Sequence, residues 1–172
     1  MDENRTDTPK RISVFELRTE DALSKGLSLE KDQFTLESEI WIDGHHLNEP
    51  HFIDLPALIQ NLYEEGWHDI FTCGCGVSGC AGIPEGIHVI HSGELIHWEF
   101  RRPLGAGNLL EPALSEWEKT ARPVQYTFSR TQMLGAIRTF LDAARHLVAD
   151  QPSRFEWPVY GLSVTDVLKI DP

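Results

Sequence analysis

Basic residues are scarce in this chain. Its 172 residues carry 15 Lys and Arg against 27 Asp and Glu, a formal net charge of −12. A field of that sign repels phosphate backbones and anionic headgroups, which argues against nucleic acid or a membrane surface as partner. It favours rapid encounter with a basic protein. Long apolar runs are missing as well, and nothing approaches the roughly 18 consecutive apolar residues of a membrane-spanning helix. The opening Met1-Asp2-Glu3-Asn4-Arg5-Thr6-Asp7 is polar with no hydrophobic segment behind it, so no signal peptide is expected. Cysteine is rare, with only three, all between Cys73 and Cys80. A secreted disulfide scaffold spreads an even number along the chain, so this clustering predicts a reduced, cytoplasmic protein. Catalytic signatures are absent too: the chain has no G-x-S-x-G elbow, no P-loop and no H-E-x-x-H. Carboxylates abound, but no motif places two of them as acid and base, and no catalytic residue is assigned.

What is present is ordinary globular material. Hydrophobic residues make up 41% of the chain, and a chain of this length can bury roughly 70% of its unfolded surface in one core. A single domain over residues 1–172 is expected, with 1–9 as a loose polar arm. Strands are predicted from Ile12 to Leu17 and from Phe34 to Ile42. In the second, apolar side chains fall on even positions and polar ones mostly on odd, a period of two that buries one face. Asp54 can cap a helix running to about Glu65 and stopped by Gly66. Trp67–Thr72 reads as a strand leading into the cysteine turn. Ile87–Ile90 and Leu95–Phe100 read as a hairpin about His91-Ser92-Gly93-Glu94.

Residues 101–122 look like a long connection. Val124, Tyr126 and Phe128 alternate as a further strand, and Ser129-Arg130-Thr131-Gln132 fits a capping box. The helix behind it repeats Met133, Ile137, Phe140, Leu141, Ala144, Leu147 and Val148 at helical spacing. A short turn is expected around Val164–Leu168. The expected class is α+β: an antiparallel sheet of about five to seven strands with two main helices packed on one face.

The stretch Cys73-Gly74-Cys75-Gly76-Val77-Ser78-Gly79-Cys80-Ala81-Gly82 holds the sharpest chemistry. Four glycines bend the backbone tightly and bring three thiols close. Gly74, Gly76 and Gly79 spell G-x-G-x-x-G, but Gly82, Pro84 and Gly86 forbid the helix a dinucleotide loop requires. A zinc site is the second reading. Cys73, Cys75 and Cys80 would supply three thiolates, and either His88 or His97 the fourth ligand, because pairing Ile90 with Leu95 sets the two imidazoles opposite each other. Thiol–disulfide chemistry is a third reading, although no Lys or Arg lies within the turn to activate a thiol. The fourth reading is that the three Cys are small apolar side chains filling a strand connection. The run from Cys73, followed by a hairpin ending in His97-Trp98, resembles a turn found in bacterial proteins of uncharacterised function. That resemblance implies a bacterial origin and no particular activity.

Other clusters are weaker. His45, His46 and His51 have a spacing that can bind metal, but they follow the Asp43-Gly44 turn, where a solvated loop is the simpler reading. Asp142 and Arg145 read as an exposed helical pair. Arg101, Arg102, Lys119 and Arg122 could take an anion or merely balance nearby carboxylates. The balance of these observations favours a non-enzymatic, acidic protein-binding module, such as a bacterial immunity or inhibitor protein that neutralises a basic toxin. A zinc-stabilised regulatory domain is the alternative, and an enzyme whose site carries no motif comes after it.

Overall fold

The computed structural model describes residues 12–19, 34–36, 38–47, 51–81, 86–100, 123–150, 155–159, 161 and 163–172. The expected arm at 1–9 and connection at 101–122 lie outside them. In chain order the strands are β1 (Phe15–Thr19), β2 (Phe34–Thr35), β3 (Ser38–Ile42), β4 (His45–His46), β5 (Phe52–Ile53), β6 (Gly66–His68), β7 (Phe71–Thr72), β8 (Ile87–Ser92), β9 (Leu95–Phe100), β10 (Val124–Ser129) and β11 (Phe155–Glu156). The helices are α1 (Leu55–Gln60), α2 (Arg130–Val148) and α3 (Val164–Leu168).

The class is α+β, but the single broad sheet is replaced by smaller ones. The strands fall into one sheet ordered β1-β3-β4, one ordered β10-β9-β8-β6, and the two-stranded pairs β11-β2 and β5-β7. All pair antiparallel except β11 with β2. The two larger sheets meet through the Ser13 N–H, which donates to the Thr127 carbonyl at 2.7 Å. That contact joins the segment before β1 to β10 without extending into a ladder, so the strand count per sheet stays below the expected five. The expected strand Phe34–Ile42 divides into β2, which pairs with β11, and β3, which pairs with β1. The expected strand Trp67–Thr72 also divides. Asp69 and Ile70 fall between β6, which pairs with β8, and β7, which pairs with β5.

Period-two patterning identified the buried faces correctly. Phe15 and Leu17 on β1 oppose Ile42 and Ile40 on β3, and all four are buried. Ile12 and Val14, included in the expected first strand, are 50% and 45% exposed and precede it. In the hairpin β8–β9, Ile87, Val89, Ile96 and Trp98 are fully buried. Its turn is tighter than expected: Ser92 pairs with Leu95, leaving Gly93 and Glu94 as the two turn residues, with Gly93 at φ +60°. A positive φ at the first turn position is natural only for Gly, Asn or Asp.

Of the two expected helices, only one is long. α2 runs from Arg130 to Val148 and buries Met133, Ile137, Phe140, Leu141, Ala144 and Val148, while Leu147 is 38% exposed. The Ser129 hydroxyl accepts the Gln132 N–H at 3.4 Å, as the capping box predicts. α1 ends six residues before the expected Gly66, because Asn61 turns its own side chain back on the helix. Asn61 Nδ2 donates to the Leu58 carbonyl, its backbone N–H donates to the Ala57 carbonyl, and its Oδ1 accepts the indole N–H of Trp98 at 3.1 Å. Asn61 is fully buried, and a buried amide of this kind needs those partners.

The core gathers residues from both larger sheets, α1, α2 and α3. At its centre Trp98 makes edge contacts with Phe15, Phe71 and Phe128, with ring centroids 5.9, 6.2 and 5.0 Å away. Phe140 meets Trp157 edge-on at 6.4 Å. The helical pair expected of Asp142 and Arg145 exists at 2.9 Å, but the guanidinium does more: its Nε and Nη2 each donate at 2.8 Å, to the carbonyls of Leu168 and Ile170. Arg138 similarly donates to the Pro172 carbonyl at 3.1 Å. Two arginines of α2 thus hold the segment after α3 by its backbone. Phe140→Ala should lower the unfolding free energy by about 3–5 kcal/mol, through lost burial plus a cavity, in chemical denaturation followed by tryptophan fluorescence. A loss below about 1 kcal/mol would show that Phe140 does not carry the α2 contact.

Candidate functional site

The cysteine turn leaves β7 and closes through a 3-10 turn at Ser78–Ala81. The Gly76 N–H donates to the Cys73 carbonyl at 2.9 Å and the Cys73 N–H to the Val77 carbonyl at 3.4 Å. Gly76 sits at φ +78°, a backbone that favours glycine. Within this loop Cys73 and Cys75 are joined as a disulfide across Gly74, with Cα atoms 5.3 Å apart. Cys73 is half-buried and Cys75 exposed. The Ser78 hydroxyl donates to Asp69 Oδ1 at 2.7 Å, which ties the far side of the turn to the residues between β6 and β7. Gly86 returns the chain here at φ +71°. A Cβ at that position would lie 2.6 Å from the His68 carbonyl oxygen and 2.9 Å from Asp69 Oδ1, so no other residue fits.

The expected fourth zinc ligands sit differently from the sequence reading. His88 opposes Glu99, and His97 opposes Ile90. The two imidazoles therefore share a face, as expected, but are diagonal rather than directly opposite. Each has its own neighbour: His88 lies against the Trp67 ring with centroids 4.8 Å apart, and His97 Nδ1 is 2.9 Å from the Thr127 hydroxyl. Disulfide sulfurs are not thiolates, so Cys73 and Cys75 in this bonded form do not supply the ligands zinc prefers. The side chain of Cys80 lies outside the described residues. Among those residues no group of three His, Cys, Asp or Glu is arranged to hold a metal ion.

His45, His46 and His51 are not a free loop. His45 and His46 form β4 and pair with Ile42 and Trp41, and the His46 ring stacks on Trp41 at 5.2 Å. His51 is partly buried, which pushes its imidazole below the ordinary 6.5. The basic patch expected at 101–122 lies outside the described residues. The last glycine of G-x-G-x-x-G, Gly79, lies in the 3-10 turn.

Two features escaped the sequence reading. The first is on the outer face at the β6 edge: Trp67, 44% exposed, pairs with His88 and so shares a face with Ile90, 39% exposed, while Tyr63 in the segment before β6 is 57% exposed. Glu64 and Glu65 in that segment are exposed too, and Glu65 Oε1 accepts the His91 N–H at 2.6 Å, fixing this corner against the hairpin. The sequence offered little signal for it, since β6 is only three residues long. By contrast Trp41 is covered, with the Arg18 guanidinium 4.3 Å above its ring and His46 stacked on it. The second feature is a cleft of about 210 Å³ between the end of α2 and α3, lined by Val148, Ala149, Val164 and Leu168. Its cations are engaged, Arg145 with carbonyls and Lys169 with Asp166 at 3.4 Å.

Comparison with family models, curated proteins and solved structures finds no match to this chain.

Near the turn, Asp54 caps α1 by accepting the Ala57 N–H at 3.0 Å. Burial pushes its carboxyl above the ordinary 3.8, the Ala57 N–H pulls it down, and neighbouring Asp69 pushes it up. The folded state therefore holds this proton more tightly than the unfolded chain does. Ionised Asp54 costs stability at neutral pH, a cost absent below 3.8 and complete once pH exceeds the raised value. Asp54→Asn keeps a good cap and should raise the melting temperature near neutrality, with the gain vanishing in melts run below that lower bound. In the same assay a metal chelator should leave the melting temperature of the protein unchanged. A fall on chelation would support the zinc reading.

Proposed function

We propose that the protein is a non-enzymatic binding module for a basic protein, acting as a bacterial immunity or inhibitor protein does towards its toxin. The supporting observation is the outer face at the β6 edge, where Trp67 and Ile90 are exposed on one side of the sheet, with exposed Tyr63, Glu64 and Glu65 in the segment leading into β6, on a chain of net charge −12. Interface centres are enriched in Tyr and Trp, and a surrounding carboxylate rim accelerates encounter with a cationic surface. Trp67 lies on the edge strand β6 and leans on His88, so the anchor is held by the sheet and not by a loop. A preset anchor of this kind loses little side-chain freedom on binding.

The experiment is titration of the purified protein against a basic protein, taken from the products of genes adjoining its own. Association should slow as salt rises, because the attraction is screened over about 8–10 Å. Glu64→Lys should reduce the association rate, and Trp67→Ala should weaken the complex by about 2 kcal/mol, roughly thirtyfold in Kd. Full affinity in Trp67→Ala would place the interface elsewhere. Absence of any complex with the neighbouring basic protein would remove the inhibitor reading.

A further inference from the structure

The bond between Cys73 and Cys75 does not suit a structural staple. It closes a loop with one residue, Gly74, between its ends, and the unfolded-state entropy removed by a cross-link shrinks with loop length. The turn is already closed by backbone hydrogen bonds from Gly76 to Cys73 and from Cys73 to Val77. Neither sulfur belongs to the buried core. A disulfide that adds little to folding and lies at the surface is of the labile kind, open to exchange with other thiols.

We propose that Cys73 and Cys75 form a reversible thiol–disulfide exchange site, opened at Cys75 by a low-molecular-weight thiol. The two sulfurs are unequal in ways that assign their roles. Cys75 is exposed, with Gly74 and Val77 exposed around it, so Cys75 is the residue more open to an incoming thiolate. Cys73 is half-buried, and its Sγ accepts the Cys75 N–H at 3.4 Å, a contact that favours negative charge on the departing sulfur.

The attacking thiolate forms a bond to Cys75 Sγ as the bond between the two Cys breaks, and the electron pair leaves on Cys73 Sγ. A second thiolate then attacks the sulfur of the bound small thiol, forming the small-molecule disulfide and releasing Cys75 as thiolate. Both cysteines take up protons from water. Two electrons have passed to the protein, and the reverse sequence, driven by the small-molecule disulfide, restores the bond.

Gly74 couples the site to the fold. A Cβ there would lie 3.4 Å from Cε2 of Phe52 and 3.6 Å from the Pro158 carbonyl oxygen, so the loop rests directly on β5 and on the segment after β11. Opening the bond loosens the loop at this contact. This pair also fits a reducing compartment, where disulfides are transient and redox-responsive rather than structural.

The test uses the whole protein, equilibrated with chelator in glutathione buffers from fully reduced to fully oxidised, quenched with acid and alkylated. The peptide spanning Cys73 to Cys80 is then weighed. Cys73 and Cys75 should lose alkylation together across the ordinary range of glutathione ratios, while Cys80 stays alkylated. Cys73→Ser should accumulate a single glutathione adduct on Cys75, and Cys75→Ser should load Cys73 several-fold more slowly. Circular dichroism melts of both variants establish that they fold. Three results would each overturn the proposal: a pair that stays bonded in reduced glutathione, a pair that never forms in oxidised glutathione, or a bond from either residue to Cys80.

Discussion

The indole of Trp98 is the contact on which the arrangement depends. It is fully buried in the middle of β9, and its N–H is committed to Asn61 at the end of α1. Its ring faces Phe15 from one larger sheet and Phe128 from the other, along with Phe71 beside the cysteine turn. A buried donor must be paired, and an aromatic ring gains from edge contacts beyond its area. Both demands are met only if the two sheets and the first helix converge on one point. The backbone link from Ser13 to Thr127 is therefore sufficient to join sheets that no continuous ladder unites.

The same residue explains where sequence patterning worked and where it stopped. Val89, Ile96 and Trp98 were legible as an inward face because alternation reports a local geometry. The stripe of α2 from Met133 to Val148 was legible for the same reason, with helical spacing in place of alternation. The end of α1 was not, because the turn of Asn61 onto Leu58 is a local option whose outcome rests on a distant partner. The indole that holds its Oδ1 lies far off in sequence, and only the folded chain brings them together. Likewise, nothing in Trp67–Thr72 announces that Asp69 and Ile70 interrupt a strand; the interruption comes from β6 and β7 having different partners.

The candidate site was legible as composition and not as chemistry. Three thiols and four glycines in ten residues marked the cysteine turn, yet composition alone does not say which two of the three pair, and the structure joins Cys73 to Cys75. The aromatic corner was hidden for the opposite reason. Exposed Trp67 and buried Trp98 look alike in a hydrophobicity pattern. They differ by which side of the sheet they occupy, and Trp67 lies on a three-residue strand too short for alternation to show it.

The hairpin β8–β9 has a consequence for which pairing errors the chain can tolerate. Pairing Ile90 with His97 in place of Leu95 displaces the register by two residues, yet every inward residue stays inward. Faces are conserved under even shifts and exchanged under odd ones. Slippage of β8 along β9 is thus sorted by parity: a slip of two residues leaves Val89 and Trp98 facing the core, whereas a slip of one would send one strand's apolar side chains into water. The core therefore polices odd misregistration and leaves even misregistration to the turn at Gly93-Glu94.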